Sequence, residues 1–161
     1  MYTIINYVLN NIYYNYEIYN RGEAIMDIKE RVKSGKIYFP TDESLVKEQT
    51  KCLEKLYDFN LTRPLEGEKR TAMLKDMFAE FGDNSYIEPP LHANWGGHNL
   101  HFGNHVYANF NLTVVDDTHV YVGNDVLFAP NVILATAGHP IDPELRKNDY
   151  QFNNISWQCR E

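Results

Sequence analysis

The chain of 161 residues has only two cysteines, Cys52 and Cys159, which lie far apart and form no Cys-x-x-Cys spacing. That excludes a disulfide-stapled secreted scaffold as the first reading and favours a reduced, cytoplasmic protein. No run of about 18 apolar residues is present, so no membrane-spanning helix is expected. Nor is there a basic stripe: 22 acidic residues outweigh 15 basic ones, for a net charge of −7, and a nucleic-acid partner is not expected. What the chain does have is an apolar fraction of 43% with 14% aromatics, enough for a real core in one domain.

Met1 to Asn20 are built mostly from Tyr, Asn and Ile. They lack the basic start, sustained apolar stretch and small-residue cleavage site of a signal peptide. Residues 1–25 are therefore expected to be a disordered or non-native extension. Tyr, Asn and Ile use A/T-rich codons, and Arg21-Gly22-Glu23 can be encoded by a purine run. Together these suggest an untranslated leader with a ribosome-binding site, and Met26 as the start of translation.

Residues 26–83 read as helical. Asp27 to Lys33 form a short amphipathic stretch closed by Gly35. Thr41 or Asp42 caps a second helix with Leu45, Cys52, Leu53 and Leu56 on one face, broken between Asn60 and Pro64. A third helix from about Leu65 carries Met73, Leu74, Met77, Phe78 and Phe81 at helical spacing, closed by Gly82-Asp83-Asn84. Such stripes are core faces, and three short helices ahead of a β region make a cap.

From residue 84 to 152 a six-residue period replaces the helical one. Phe102, Ala108 and Val114 are six apart; after a two-residue shift the register resumes at Val122, Phe128 and Leu134. One apolar residue in six points inward, a second aliphatic four residues later packs beside it, and Gly and Asn fill corners that need unusual backbone angles. The pattern predicts a prism-shaped solenoid whose coils bury their faces on one another. An antiparallel sandwich would alternate with period two and carry hairpin signals.

The residues also resemble a known family. Glu88-Pro89-Pro90, the run from Tyr107 to Asp117, the run from Val122 to Val132 and Gly138-His139-Pro140 are similar to the maltose and galactoside O-acetyltransferases. Ser34-Gly35-Lys36-Ile37-Tyr38 and Tyr57-Asp58-Phe59-Asn60 resemble their N-terminal cap. The resemblance covers residues 26 to 152. It implies a mainly β fold, an incomplete left-handed parallel β-helix of hexapeptide repeats preceded by a small α-helical cap. It implies transfer of acetyl from acetyl-CoA to a sugar hydroxyl, no metal, and a homotrimer in the full-length family.

Carried onto this chain, the family's catalytic base matches His139 and its oxyanion-stabilising residue matches Asn109. Asp117 and Asp42 match positions that contact the acceptor sugar, Tyr107 lies beside the site, and Asn94 falls at an acceptor-side position. The chemistry suits these types. A sugar hydroxyl needs a base as it attacks the thioester, and imidazole as a class titrates near neutrality. An amide such as that of Asn109 suits the developing oxyanion. Neither cysteine sits in a nucleophile setting. Without the resemblance, His139 would read as a loop histidine, Asn109 as a corner residue and Asp116-Asp117 as a solvated turn.

Two alternatives accompany this reading. His98-x-x-His101-x-x-x-His105 has a spacing seen in zinc sites, and γ-class carbonic anhydrases are metal-binding left-handed β-helices. Relatives also continue past the Phe152 region with further coils, whereas residues 153–161 keep no six-residue register and are expected to form an irregular tail. An inactive, truncated remnant is thus the third possibility, with an exposed coil end and unpaired strand edges.

Overall fold

The computed structural model describes residues 27–147, 150–153 and 157–159. The expected N-terminal extension and start site lie outside the described residues. Among the described residues no helix is long and apolar enough to cross a membrane.

The cap follows its signals closely at the start. Asp27 caps α1 (Ile28–Lys33) by accepting the Lys29 N–H at 3.2 Å. Gly35 sits just beyond the helix at φ 70°, the left-handed position that glycine tolerates. Asp42 caps α2 (Glu43–Asn60), its Oδ1 accepting the Ser44 N–H at 2.9 Å and the Ser44 hydroxyl at 2.5 Å. The buried face of α2 is Leu45, Leu56 and Phe59; Leu53, expected on that face, is 39% exposed, and Cys52 is half-buried.

The third helix departs from expectation. α3 (Gly67–Met77) stops before Phe78, whose backbone is extended, and Phe81 belongs to a strand, β1 (Glu80–Phe81). Here tertiary packing overrides the helical spacing. The Phe78 ring meets those of Phe81 and Phe102 edge-on at 5.4 and 5.2 Å, which requires the chain to turn into the solenoid.

The solenoid consists of three complete coils of three strands. The first is β1, β2 (Tyr86–Ile87) and β3 (His92–Ala93); the second is β4 (Leu100–Phe102), β5 (Tyr107–Ala108) and β6 (Thr113–Val115). The third is β7 (Val120–Val122), β8 (Leu127–Phe128) and β9 (Ile133–Ala135). Like strands stack in parallel, in the orders β1-β4-β7, β2-β5-β8 and β3-β6-β9. The expected inward residues Phe102, Ala108, Val114, Val122, Phe128 and Leu134 are all buried. Below them Phe81, Ile87 and Ala93, spaced by the same six residues, form an equivalent first coil that the expected helix through Phe81 obscures.

The corners match expectation in part: asparagine takes the left-handed position at three turns, but His105 and Asp125 take it at two others, and Gly82, Gly103 and Gly123 do not. Asn84, His105 and Asp125 take φ near +60° at one, and Asn111 and Asn131 at the next. Asparagines also bond up the stack: Asn104 Oδ1 accepts the Asp83 N–H at 2.8 Å, and Asn124 Oδ1 accepts the Asn104 N–H at 2.9 Å. The third corner is longer, and the buried Asp116 organises it by accepting the N–H groups of Trp95 (2.6 Å) and Gly97 (2.9 Å).

Beyond the third coil, β10 (Ala137–Gly138) pairs antiparallel with β11 (Phe152–Asn153), and the loop between them contains α4 (Pro143–Lys147). The tail is not wholly irregular. β12 (Trp157–Cys159) adds to the β1-β4-β7 sheet, with Trp157 opposite Val120 and Cys159 opposite Val122. It satisfies the β7 edge through backbone bonds, which need no side-chain period; the Gly123 N–H donates to the Cys159 carbonyl at 2.9 Å.

Candidate active site

A cavity of about 820 Å³ opens between the cap and the β3-β6-β9 face. Tyr57 and Asn60 of α2 form one wall, His92 and Thr113 the floor, and His139 and Gln151 the far rim. Asn60 fastens that wall to the solenoid, since its amide both donates to the Leu91 carbonyl and accepts the Leu91 N–H at 2.8 Å.

His139 follows β10 directly and is exposed on the cavity rim. Its Nδ1 lies 2.9 Å from the carbonyl oxygen of Tyr150. A carbonyl only accepts, so Nδ1 carries the hydrogen and the neutral ring keeps its lone pair on Nε2. Tyr150 is itself fixed: it is buried with Ile37 and Leu145, and its ring lies 4.5 Å from that of Phe39.

Asp117 is buried beneath the rim rather than open in the cavity. Its Oδ2 accepts from Asn94 Nδ2 at 2.9 Å and its Oδ1 from Gln151 Nε2 at 2.9 Å. The Trp95 indole N–H and the Tyr38 hydroxyl approach Oδ1 at 3.4 and 3.5 Å. Burial first, and then the Asp117 charge, push the Tyr38 phenol well above its usual range, so it stays a neutral donor. Tyr38 also donates to Asn153 Oδ1 at 3.0 Å.

The other expected residues divide between two places. Asn94 lines the cavity with His139 and is bridged to α2 by Gln49, whose amide donates to the Asn94 carbonyl at 3.0 Å. Asp42 is engaged as the α2 cap and does not line the cavity; its hydrogen bonds from Ser44 hold its carboxyl below the ordinary carboxylate range. Tyr107 sits on the β2-β5-β8 face between Tyr86 and Leu127. Asn109 lies at the following corner, its Oδ1 accepting the Phe110 N–H at 2.8 Å. Within one chain, neither lines the cavity that holds His139.

Sequence reasoning missed Gln151, Tyr38 and Asn153, which tie Asp117 to the cap and the hairpin. Tyr38 closes the Ser34-Gly35-Lys36-Ile37-Tyr38 segment that resembles the cap, whereas Gln151 and Asn153 carry no period or motif of their own. The histidine spacing forms no single site. His101 Nε2 is 3.0 Å from His119 Nδ1, the His101 ring stacks on Tyr121 at 4.3 Å, and His105 faces Asp125 at 3.3 Å. Among the described residues no three His, Cys, Asp or Glu side chains converge to hold a metal ion.

These features define the class: a parallel β-helix of hexapeptide coils, with a helical cap closing a cleft that holds an oriented histidine. Residues 31–82 match the maltose acetyltransferase hexapeptide capping motif. Over 124 residues, 77% of this chain, the sequence is 51% identical to a galactoside O-acetyltransferase of Lactococcus lactis subsp. lactis (strain IL1403), covering 60% of that protein. It is 43% identical over 128 residues, 80% of this chain, to the galactoside O-acetyltransferase of Escherichia coli (strain K12), covering 63% of that protein.

Among solved structures, a galactoside acetyltransferase in complex with coenzyme A superposes with a TM-score of 0.76 at 43% identity, covering 80% of this chain and 64% of that one. A maltose O-acetyltransferase from Clostridium difficile 630 gives 0.77 at 35% identity, covering 81% and 69%. The chain belongs to the maltose and galactoside O-acetyltransferase family of hexapeptide-repeat, left-handed β-helix proteins. It spans 60% and 63% of the length of the two curated relatives named above.

Proposed function

We propose that this chain is a cytoplasmic sugar O-acetyltransferase that uses acetyl-CoA, with His139 as its general base. One observation carries the reading: the Tyr150 carbonyl holds the hydrogen of His139 on Nδ1 and leaves Nε2 basic at the rim of the cleft. The relatives' names and the coenzyme A in one related structure supply the substrate classes.

The reaction balances on that nitrogen. The acceptor hydroxyl oxygen attacks the thioester carbonyl carbon while Nε2 takes its proton. The tetrahedral intermediate collapses with loss of the coenzyme A thiolate, and the imidazolium returns the proton to sulfur. The products are an acetyl ester and free coenzyme A, with no covalent enzyme intermediate. A positioned base of this kind contributes about 10²–10⁴-fold.

Asn94 and Gln151 line the same cleft as the base, and Asp117 holds both in place. This reading gives Asp117 an indirect part in acceptor binding. Asn109 and Tyr107 lie on another face of the same chain, so they serve the reaction from a neighbouring copy in a homotrimer. An oxyanion donor such as Asn109 is worth about 2.7–4 kcal/mol of transition-state stabilisation.

The test is acetyl-CoA consumption with maltose, glucose and galactosides, beside a His139→Ala variant. Acceptor-dependent release of coenzyme A that falls at least 100-fold in the variant is expected. Turnover untouched by the substitution removes His139 as the base; no turnover with any sugar removes the activity.

A further inference from the structure

We infer that the helical cap sets which nitrogen of His139 is basic, acting through one peptide unit, Tyr150–Gln151, with Tyr38 as the positioning residue. The significance of this for catalysis rests on the acetyltransferase reading; the geometry does not.

A peptide unit is planar, and in the trans form its C=O and N–H point in opposite directions. The C=O of the 150–151 unit accepts the His139 Nδ1 hydrogen at 2.9 Å. The N–H of the same unit donates to the Tyr38 carbonyl at 3.0 Å. Tyr38 answers with its own N–H to the Gln151 carbonyl at 2.9 Å, which closes a two-bond antiparallel bridge. The plane is therefore gripped on one edge by the cap and presents its other edge to the imidazole.

Neighbouring contacts stop the plane from rotating. Residue 39 packs its ring against Tyr150, and Ile37 is buried with Tyr150 and Leu145. The Tyr38 hydroxyl donates to Asn153 Oδ1 at 3.0 Å, so the cap grips the hairpin on both sides of Gln151. Were the plane to turn, Nδ1–H would lose its acceptor. The ring would then revert toward the Nε2–H form that histidine favours in water, which offers the acceptor hydroxyl no lone pair at Nε2. Residues more than 100 positions apart in sequence thus share control of one proton.

The test is ¹⁵N-edited imidazole NMR on the full chain, with the His139 signals assigned by their loss in His139→Ala. It reads the tautomer whether or not the protein turns over. Native protein should show His139 as the Nδ1–H form. Gln151→Pro deletes the N–H of the gripped peptide and the Gln side chain and sets a ring carbon against the Tyr38 carbonyl, so it releases the grip, whereas Gln151→Ala removes the side chain alone. The expected result is Nδ1–H retained in Gln151→Ala and a clear shift toward Nε2–H in Gln151→Pro. In steady state the Pro variant should lose at least tenfold in kcat with KM for acetyl-CoA unchanged.

Phe39→Ala, which frees the Tyr150 ring and keeps both bridge bonds, supplies a second reading if the Pro variant does not fold; a partial shift is expected. An Nε2–H ring in native protein, an unshifted ring in folded Gln151→Pro or Phe39→Ala, or equal shifts in the Ala and Pro variants overturns the inference. A native Nδ1–H ring that shifts as described in a protein without acetyl transfer sinks the enzymatic reading and leaves the cap's grip standing.

Discussion

Asp116 accepts the backbone N–H of Trp95 at 2.6 Å from a fully buried position, so a carboxyl on one coil shapes the loop that closes the coil below it. Burial pushes its pKa up to about 6, against an ordinary 3.8, and outweighs the lowering effect of the N–H groups it accepts.

The direction of its pH dependence follows. A carboxyl that binds its proton more tightly when folded stabilises the fold most below pH 3.8, and that contribution is lost as pH rises through about 6. The difference amounts to about 3 kcal/mol at 1.36 kcal/mol per pKa unit. Urea unfolding of native protein and Asp116→Asn across that window should show native stability falling relative to the variant. A relative rise would refute the assignment. The variant should also be less stable throughout, because Trp95 and Gly97 bond to different carboxyl oxygens and the amide puts an NH2 donor in place of one of them.

Asp117 makes a different prediction. The Asn94 and Gln151 amides both donate to it, and its burial makes it a structural hub. Asp117→Ala should lower stability by about 1–3 kcal/mol, because it leaves the buried Gln151 amide without its acceptor, whereas the exposed Asn94 amide can turn to water. The urea midpoint decides the matter. A midpoint unchanged from native, with only KM for the sugar raised, would mean that the carboxylate meets the acceptor directly.

Much of this architecture was legible in the residues, for reasons the structure makes plain. Phe102, Ala108 and Val114 announce the solenoid because one side chain per six must enter the prism. The first coil, Phe81, Ile87 and Ala93, keeps the six-residue spacing but escapes notice because Phe81 also fits the helical stripe and nine residues separate Ala93 from Phe102. Phe81 imitates a helical face because the helix end and coil entry share one aromatic cluster. His139 stands out through Gly-His-Pro, whereas its partner is a backbone carbonyl, and carbonyls leave no mark on side-chain patterns. The β12 pairing is hidden for the same reason.

Gly82 tests the stacking itself. A side chain there would overlap the Gly103 carbonyl of the next coil, a backbone group with no room to withdraw. Gly82→Ala should cost about 1–3 kcal/mol, as overpacking in a close-packed interior does. Thermal unfolding reads it, and a melting temperature equal to the native one would mean that the first two coils are not seated as described. Gly67→Ala is the control, since a Cβ there meets nothing within 4 Å.

The separation of Asn109 from the His139 cleft predicts complementation between defective chains. If the site is shared between neighbours, His139→Ala and Asn109→Ala are each nearly inactive alone, but mixed assemblies contain junctions that pair an intact His139 with an intact Asn109. With random 1:1 assembly in a closed ring, about a quarter of the junctions carry both intact groups. Co-refolding the two variants should therefore restore about a quarter of native activity, provided one copy's base meets the next copy's amide. If the two groups instead served the reaction from the same chain, every junction in the mixture would lack one of them. Activity after co-refolding would then stay at the level of the separate variants, and size-exclusion chromatography would confirm that mixing had occurred.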